Sequence, residues 1–291
     1  MDEPFSPKDF WTRRFLAHGH TGEVDPLLYG YDQPRRLTAI ARALALAGVR
    51  ITTQTRVLDF GCGTGDVIAS LLRMGNPEIT GVDISPDTAR HARERFAGRS
   101  NVAVLVGTAE DMDFSDGSFD LAVGINVLQH IQPEAALTAT LARLRRMVMP
   151  GGHIVVMDCS PIRVVRRSPA PYIVVRSRAE YLQGFEEAGW RHVSEYPLPQ
   201  IGVHLYRSLN AALAGLRGGG GADRKVGGSR DRRSPRPSGP GISGPGMARR
   251  AVHLLRSTVL FLAAPLDALL TPSAPHRAEM RILIFENSVR T

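Results

Sequence analysis

The chain has 291 residues and a formal net charge of +8, from 36 Lys and Arg against 28 Asp and Glu, with only two cysteines. That length suits one large domain with additions and can bury a full core, while two cysteines without a paired pattern exclude a disulfide scaffold and fit a reducing cytoplasm. The longest apolar run, Val259 to Leu266, is far too short to span a membrane, and the acidic start Met1-Asp2-Glu3-Pro4 lacks the apolar run of a secretory leader.

Residues 1–50 read as a helical prelude. Asp32 is placed to cap a helix with Pro34 in its first turn, and Leu37, Ile40, Ala41, Leu44 and Ala45 form an apolar stripe that ends near Gly48. Phe10, Trp11, Phe15, Tyr29 and Tyr31 supply aromatic walls, which makes this prelude the expected lid over a site. An apolar strand over Arg56–Phe60 then runs into Gly61-Cys62-Gly63-Thr64-Gly65, with a helix near Val67–Met74 behind it. A second strand, Ile79–Asp83, ends in an acid 18 positions after Gly65.

Alternate glycines let a ligand lie against bare backbone in conformations a β-carbon disfavours. A carboxylate at the end of the second strand can accept hydrogen bonds from a ribose diol, so the expected ligand contains adenosine. A dinucleotide loop would place its third glycine where this chain has Asp66. Asp59, two residues before the first glycine, would repel a pyrophosphate but attract an ammonium group. S-adenosylmethionine (SAM) has no phosphate and carries an ammonium and a sulfonium. Asp59 to Gly65 resembles motif I of the class I SAM-dependent methyltransferases, and Asp83 resembles their ribose-binding acid. The resemblance implies that Asp59, Gly61, Cys62, Gly63, Gly65 and Asp83 hold the cofactor; from the aromatic prelude, Tyr29 or Tyr31 is expected to reach its carboxylate.

Ser85-Pro86 opens a helix running to about Phe96, and a third strand covers Val102–Val106. The segment Val106 to Met112 is similar to the family's adenine-binding segment, with Thr108 where an aspartate is common. Thr108, the backbone of Ala109 and Glu110, and the apolar side chain of Ile84 are therefore the expected adenine contacts. A fourth strand, Phe119–Ile125, leads into Asn126-Val127-Leu128-Gln129-His130, which resembles the motif IV region lining the methyl-transfer site. Asn126 is counted with the cofactor contacts.

That region lacks the Pro-Pro-aromatic signature of amino-group methylation on bases or glutamine, and holds no cysteine for cytosine C5 chemistry. Cys62 and Cys159 read as small buried residues. For a hydroxyl acceptor the candidate bases are His130, whose ordinary pKa lies near 6.5, and Asp158 at the end of the fifth strand, His153–Asp158. A helix opening near Pro133 joins strands four and five. No metal centre is expected.

Ser177-Arg178-Ala179-Glu180 is a capping box whose helix stops at Gly189, and a sixth strand covers Trp190–Tyr196. Between Gly215 and Arg250 lie eight Arg and one Lys against Asp223 and Asp231, a net of +7, so the rest of the chain carries about +1. A near-neutral body with a basic low-complexity segment differs from a basic nucleic-acid face, and argues against a nucleic-acid partner. An apolar helix broken near Pro265 is expected over Val252–Leu270, and a final strand over Met280–Glu286.

The expected fold is α/β: a doubly wound, seven-stranded, mostly parallel, Rossmann-like sheet of the class I methyltransferase type. It carries an N-terminal helical lid (1–50), a SAM-binding core (51–210), a disordered Gly/Arg/Pro/Ser-rich insertion (211–250) before the last strand, and a C-terminal helix and strand (251–291) completing the core. The expected activity is methyl transfer from SAM to a small organic acceptor, at oxygen, in the cytoplasm. Alternatives are an RNA or protein acceptor held by the basic insertion, a lipid-like acceptor at a membrane surface reached by the 252–270 helix, and a SAM-binding module without transferase activity.

Overall fold

The computed structural model describes residues 5–109, 111–162, 167–170, 172–198, 200–218, 245–270 and 278–288. Two helices come first, α1 (Pro7–His18) and α2 (Pro26–Leu46). Strands and helices then alternate through β1 (Arg56–Phe60), α3 (Asp66–Gly75), β2 (Glu78–Asp83), α4 (Pro86–Arg95), β3 (Val102–Val106) and β4 (Phe119–Ile125). A single 3-10 turn (Leu128–His130), α5 (Glu134–Met147) and β5 (Val148–Cys159) follow. A short hairpin of β6 (Arg167–Ala170) and β7 (Ile173–Val175) precedes α6 (Arg178–Glu187), β8 (Trp190–Leu198), α7 (Ile201–Gly218), α8 (Pro245–Leu270) and β9 (Met280–Asn287).

The sheet has seven strands in the order β3-β2-β1-β4-β5-β9-β8. The pairs from β3 through β5 are parallel, and β9 runs antiparallel between β5 and β8. This is the expected class I arrangement, and its strand order reverses between β1 and β4. Side chains alternate across the sheet: Val57, Val155 and Ile284 face Ile40, Leu44, Ile68 and Leu71, while Leu58, Phe60 and Phe285 face Leu141, Leu144 and Phe185. Burial on both faces explains why the central strands read as continuous apolar runs rather than alternating ones. The ends of β1, β2 and β4 at the reversal point form the crevice where open α/β sheets take ligands.

Three elements differ from the sequence expectation. Helix α2 starts at Pro26, because Asp25 supplies a cap-and-proline signal earlier than Asp32 and Pro34 do; its carboxylate accepts the N–H groups of Leu27 and Leu28 at 2.9 and 3.3 Å. Asp32 instead lies mid-helix, buried and ion-paired with Arg36 at 2.5 Å. Pro265 sits inside α8 without breaking it, on an exposed turn where water can take the carbonyl it leaves free. Helix α7 continues past residue 210 to Gly218.

The chain divides into two units, Met1–Pro199 with Thr271–Thr291, and Gln200–Leu270. The first contains the whole sheet with α1–α6. The second is a helical hairpin of α7 and α8, in which the Asp267 carboxylate accepts the N–H groups of Ile201 at 2.9 Å and Gly202 at 3.2 Å. Most of the expected disordered insertion, residues 219–244, lies outside the described residues. Among the described residues no helix is long and apolar enough to cross a membrane.

Candidate active site

The loop after β1 departs from regular structure because its glycines do. Gly61, Gly63 and Gly65 have φ of 72°, 54° and 82°, a region that favours glycine. A β-carbon on Gly61 would stand 2.4 Å from Cγ2 of Val127, and one on Gly65 would stand 2.5 Å from the Phe96 ring. The loop therefore lies directly against the segment after β4, and α3 starts beneath it. The N–H groups of Gly61 and Cys62 donate to the Val82 carbonyl at 2.7 and 3.0 Å. Asp83 completes the tie: one carboxylate oxygen accepts the Gly63 N–H and the other accepts the Ser85 N–H, both at 2.9 Å.

Two acids stand here almost without solvent. Asp59 is 1% exposed, and its Oδ2 has no hydrogen-bond partner among the described residues. Burial first, and the neighbouring Asp83 second, push its carboxyl up to about 8. Burial also raises Asp83, against its two backbone hydrogen bonds. A buried, unsatisfied carboxyl group beside a ring of bare backbone is electrostatically ready for a cation. The donor set thus fits SAM: a cation partner in Asp59, a second acid in Asp83, and glycines that leave the backbone open. Cys62 is buried and its thiol is pushed well up, chiefly by burial, so it is not poised as a nucleophile.

The expected adenine-binding segment lies one strand further out. Gly107 donates its N–H to the Asp83 carbonyl at 2.9 Å, linking the turn after β3 to the end of β2. Thr108 spends its hydroxyl proton on Asp111 at 2.8 Å, leaving only its oxygen lone pairs for a ligand. Ala109 is buried, Ile84 is half-buried, and Glu110 lies outside the described residues. Asn126 takes φ 57° and gives its N–H to the Met157 carbonyl at 2.7 Å, so the chain turns sharply out of β4 towards His130.

His130 is half-buried. Its Nδ1 lies 2.5 Å from the Tyr172 carbonyl, which can only accept, so the proton is assigned to Nδ1. Nε2 is then the basic atom, 3.3 Å from the Gln129 amide nitrogen. Gln129 is itself oriented, because its Oε1 accepts the Cys159 N–H at 3.1 Å. Burial, as the main cause, holds the imidazole below its ordinary pKa, so it is neutral at pH 7. Asp158 has a different setting. It is 2% exposed, one of its oxygens accepts the Gln129 N–H at 3.2 Å, and burial pushes it up to about 8. Its contact supports the turn carrying His130.

Helix α1 bridges the two halves of the site. Thr12 donates its hydroxyl to Ser85 at 3.0 Å, and the Trp11 indole stands edge-on to His130 with centroids 4.8 Å apart. Phe10 stacks on Tyr172 at 4.4 Å. Tyr29 is turned elsewhere: its hydroxyl donates to Asp66 at 3.0 Å and is pushed up to about 12, chiefly by burial. Tyr31 is half-buried and lies under the Arg35 guanidinium at 4.8 Å. Gln129 and Tyr172 were not singled out from sequence. Gln129 could have been noticed as the neighbour of His130; Tyr172 enters through its carbonyl, which leaves no residue-type signal.

Residues 57–152 match a family profile described as a methyltransferase domain. A ubiquinone biosynthesis O-methyltransferase from Xanthomonas oryzae is 30% identical over 187 residues, which cover 64% of this chain and 72% of that protein. A phosphoethanolamine N-methyltransferase 2 from Haemonchus contortus, solved with S-adenosyl-L-methionine, superposes with a TM-score of 0.57 at 14% identity, covering 99% of this chain and 61% of that one. A geranyl diphosphate C-methyltransferase from Streptomyces coelicolor superposes with a TM-score of 0.52 at 12% identity, covering 86% and 79%. Those two structures share the fold.

Proposed function

Because the chain belongs to the class I SAM-dependent methyltransferases, we propose that it methylates a hydroxyl oxygen of a small organic acceptor seated between the Gly61–Gly65 loop and His130. The observation that carries this reading is the placement of His130, whose Nδ1 lies 2.5 Å from the Tyr172 carbonyl, so that Nε2 is left as the basic atom. An amine acceptor is nucleophilic once neutral, whereas a hydroxyl gains from a base that removes its proton as the bond forms. The oxygen chemistry in the names of the curated relatives points the same way.

In this reading Asp59 faces the cofactor's ammonium, Asp83 accepts from its ribose, and Ile84, Thr108, Ala109 and Asn126 line its remaining faces. SAM supplies the methyl group on a sulfonium, already activated as an electrophile. What is left to the chain is positioning and proton removal. Phe10 stacked on Tyr172, with Trp11 set edge-on to both Phe10 and His130, gives an aromatic wall beside His130, suited to an apolar or aromatic acceptor. Helix α1 closes over both ligands as a lid and keeps water from the methyl.

The test is to incubate the protein with SAM and matched pairs of hydroxyl and amino acceptors on the same carbon skeleton, and to locate the new methyl by mass spectrometry and NMR. An O-methyl product from the hydroxyl member supports the reading. Exclusive N- or C-methylation across the pairs contradicts it.

A further inference from the structure

The α7–α8 unit has one face that its own packing leaves uncovered. Helix α8 buries Leu260, Ala263 and Asp267, and its Arg256 lies over the Tyr206 ring of α7 at 5.9 Å. On the opposite side Leu254, Leu255, Phe261, Leu262 and Leu266 are 45–79% exposed. At helical spacing Leu254, Leu255, Phe261, Leu262 and Leu266 fall on one face, with Thr258 and Pro265 between them, so these side chains form one continuous stripe. The two hydroxyls beside it are satisfied within the helix. Thr258 gives its hydroxyl proton to the Leu254 carbonyl at 2.9 Å, and Ser257 gives its own to the His253 carbonyl at 3.0 Å.

The stripe has a charged neighbour in the sequence. Arg249 and Arg250 stand at the start of α8, and the connector from 219 to 244 carries five Arg and Lys225 against Asp223 and Asp231. No acidic residue occurs from Ala248 through Leu266. An apolar helical face beside a basic run matches an anionic bilayer surface, where acyl chains take the apolar side chains and headgroups take the arginines. RNA would use the arginines and leave the leucines in water. A second copy of the chain would bury the leucines but offer the arginines at the start of α8 no acidic partner from the same helix face, since no acidic residue occurs from Ala248 through Leu266. The helix is too short in apolar length to cross the bilayer.

We propose that α8 docks this protein on anionic lipid surfaces, lying in the interface with Leu254, Phe261 and Leu262 inserted. The inference does not depend on which atom receives the methyl group.

The experiment uses the full chain with two vesicle types, phosphatidylcholine alone and phosphatidylcholine with phosphatidylglycerol, read by co-sedimentation. Binding is expected on the anionic vesicles, weakening at least about tenfold as salt rises from about 0.05 to 0.5 M. The double variant Phe261→Ser with Leu262→Ser should lose about tenfold in vesicle affinity while keeping its SAM dissociation constant, which shows that the fold is intact. No partition onto anionic vesicles, or equal partition by the variant, would overturn the proposal. So would a lipid-free dimer that the variant dissolves, or binding of single-stranded RNA with loss of that binding in the same variant.

Discussion

The indole of Trp11 and the imidazole of His130 meet edge to face, with centroids 4.8 Å apart and planes at 73°. Helix α1 and the turn after β4 therefore share one contact at the place where an acceptor hydroxyl would lie. If that contact shapes the acceptor pocket, Trp11→Ala should raise the acceptor KM by about tenfold while SAM affinity stays unchanged. Steady-state kinetics with calorimetry separate the two. A loss confined to SAM binding would place Trp11 on the cofactor side instead.

His130→Gln keeps a polar side chain but removes the base. Its kcat should fall by about a hundred- to ten-thousand-fold with little change in SAM affinity. Burial lowers the histidine pKa, so the native acid limb of kcat/KM should fall below the ordinary 6.5, and the variant should lack it. An identical pH–rate profile in the variant would remove His130 from the proton step.

Ligand binding should move a proton at Asp59. Its carboxyl, at about 8 without ligand, is protonated at pH 7, and an adjacent ammonium favours the ionised form. SAM binding at pH 7 should then release up to about one proton, and the apparent affinity should tighten as pH rises towards 8. Calorimetry in two buffers of different ionisation enthalpy measures this directly, and Asp59→Asn should abolish the difference. Buffer-independent heats in the native protein would mean that Asp59 does not meet the cofactor's cation.

Asp83→Ala removes the carboxylate proposed to accept from the ribose, together with two backbone ties, to Gly63 and Ser85. SAM affinity should drop by roughly 1–3 kcal/mol. Thermal melts of the ligand-free variant report the structural share of that loss, and an unchanged dissociation constant would dismiss the ribose role.

Asp158 makes a stability prediction with a definite sign. Its folded value of about 8 lies above its ordinary 3.8, so the folded chain binds the extra proton between those values. The stability this group contributes is complete below about 4 and declines as pH rises through 8. Asp158→Asn cannot ionise and should flatten that decline, melting higher than the native protein near pH 8 and close to it near pH 4. A steeper decline in the variant would mean that a charged Asp158 is stabilised in the fold.

Much of this was legible in the sequence because it is local. The glycine loop, Asp83 and the strands at both ends of the sheet are set by runs of a few residues, and β9 took its expected place beside β8. Asp32-x-Pro34 imitated a helix start, and only the equally good signal at Asp25-Pro26 displaced it. The surroundings of His130 were not legible. Its partners are the Tyr172 carbonyl and Trp11, distant in sequence, and a backbone acceptor carries no residue-type mark. That Thr108 commits its hydroxyl proton to Asp111 was not legible either, because it depends on the geometry of the turn.

The measurement that bears most directly on the central claim is transfer of radiolabelled methyl from SAM into host extract, separated into small-molecule, lipid, protein and nucleic-acid pools, with native protein beside His130→Gln. Label should enter the small-molecule pool as a base-stable O-methyl ether, and fall by at least about a hundredfold in the variant. Label concentrated in RNA or protein, or equal labelling by the two proteins, would contradict hydroxyl methylation assisted by His130.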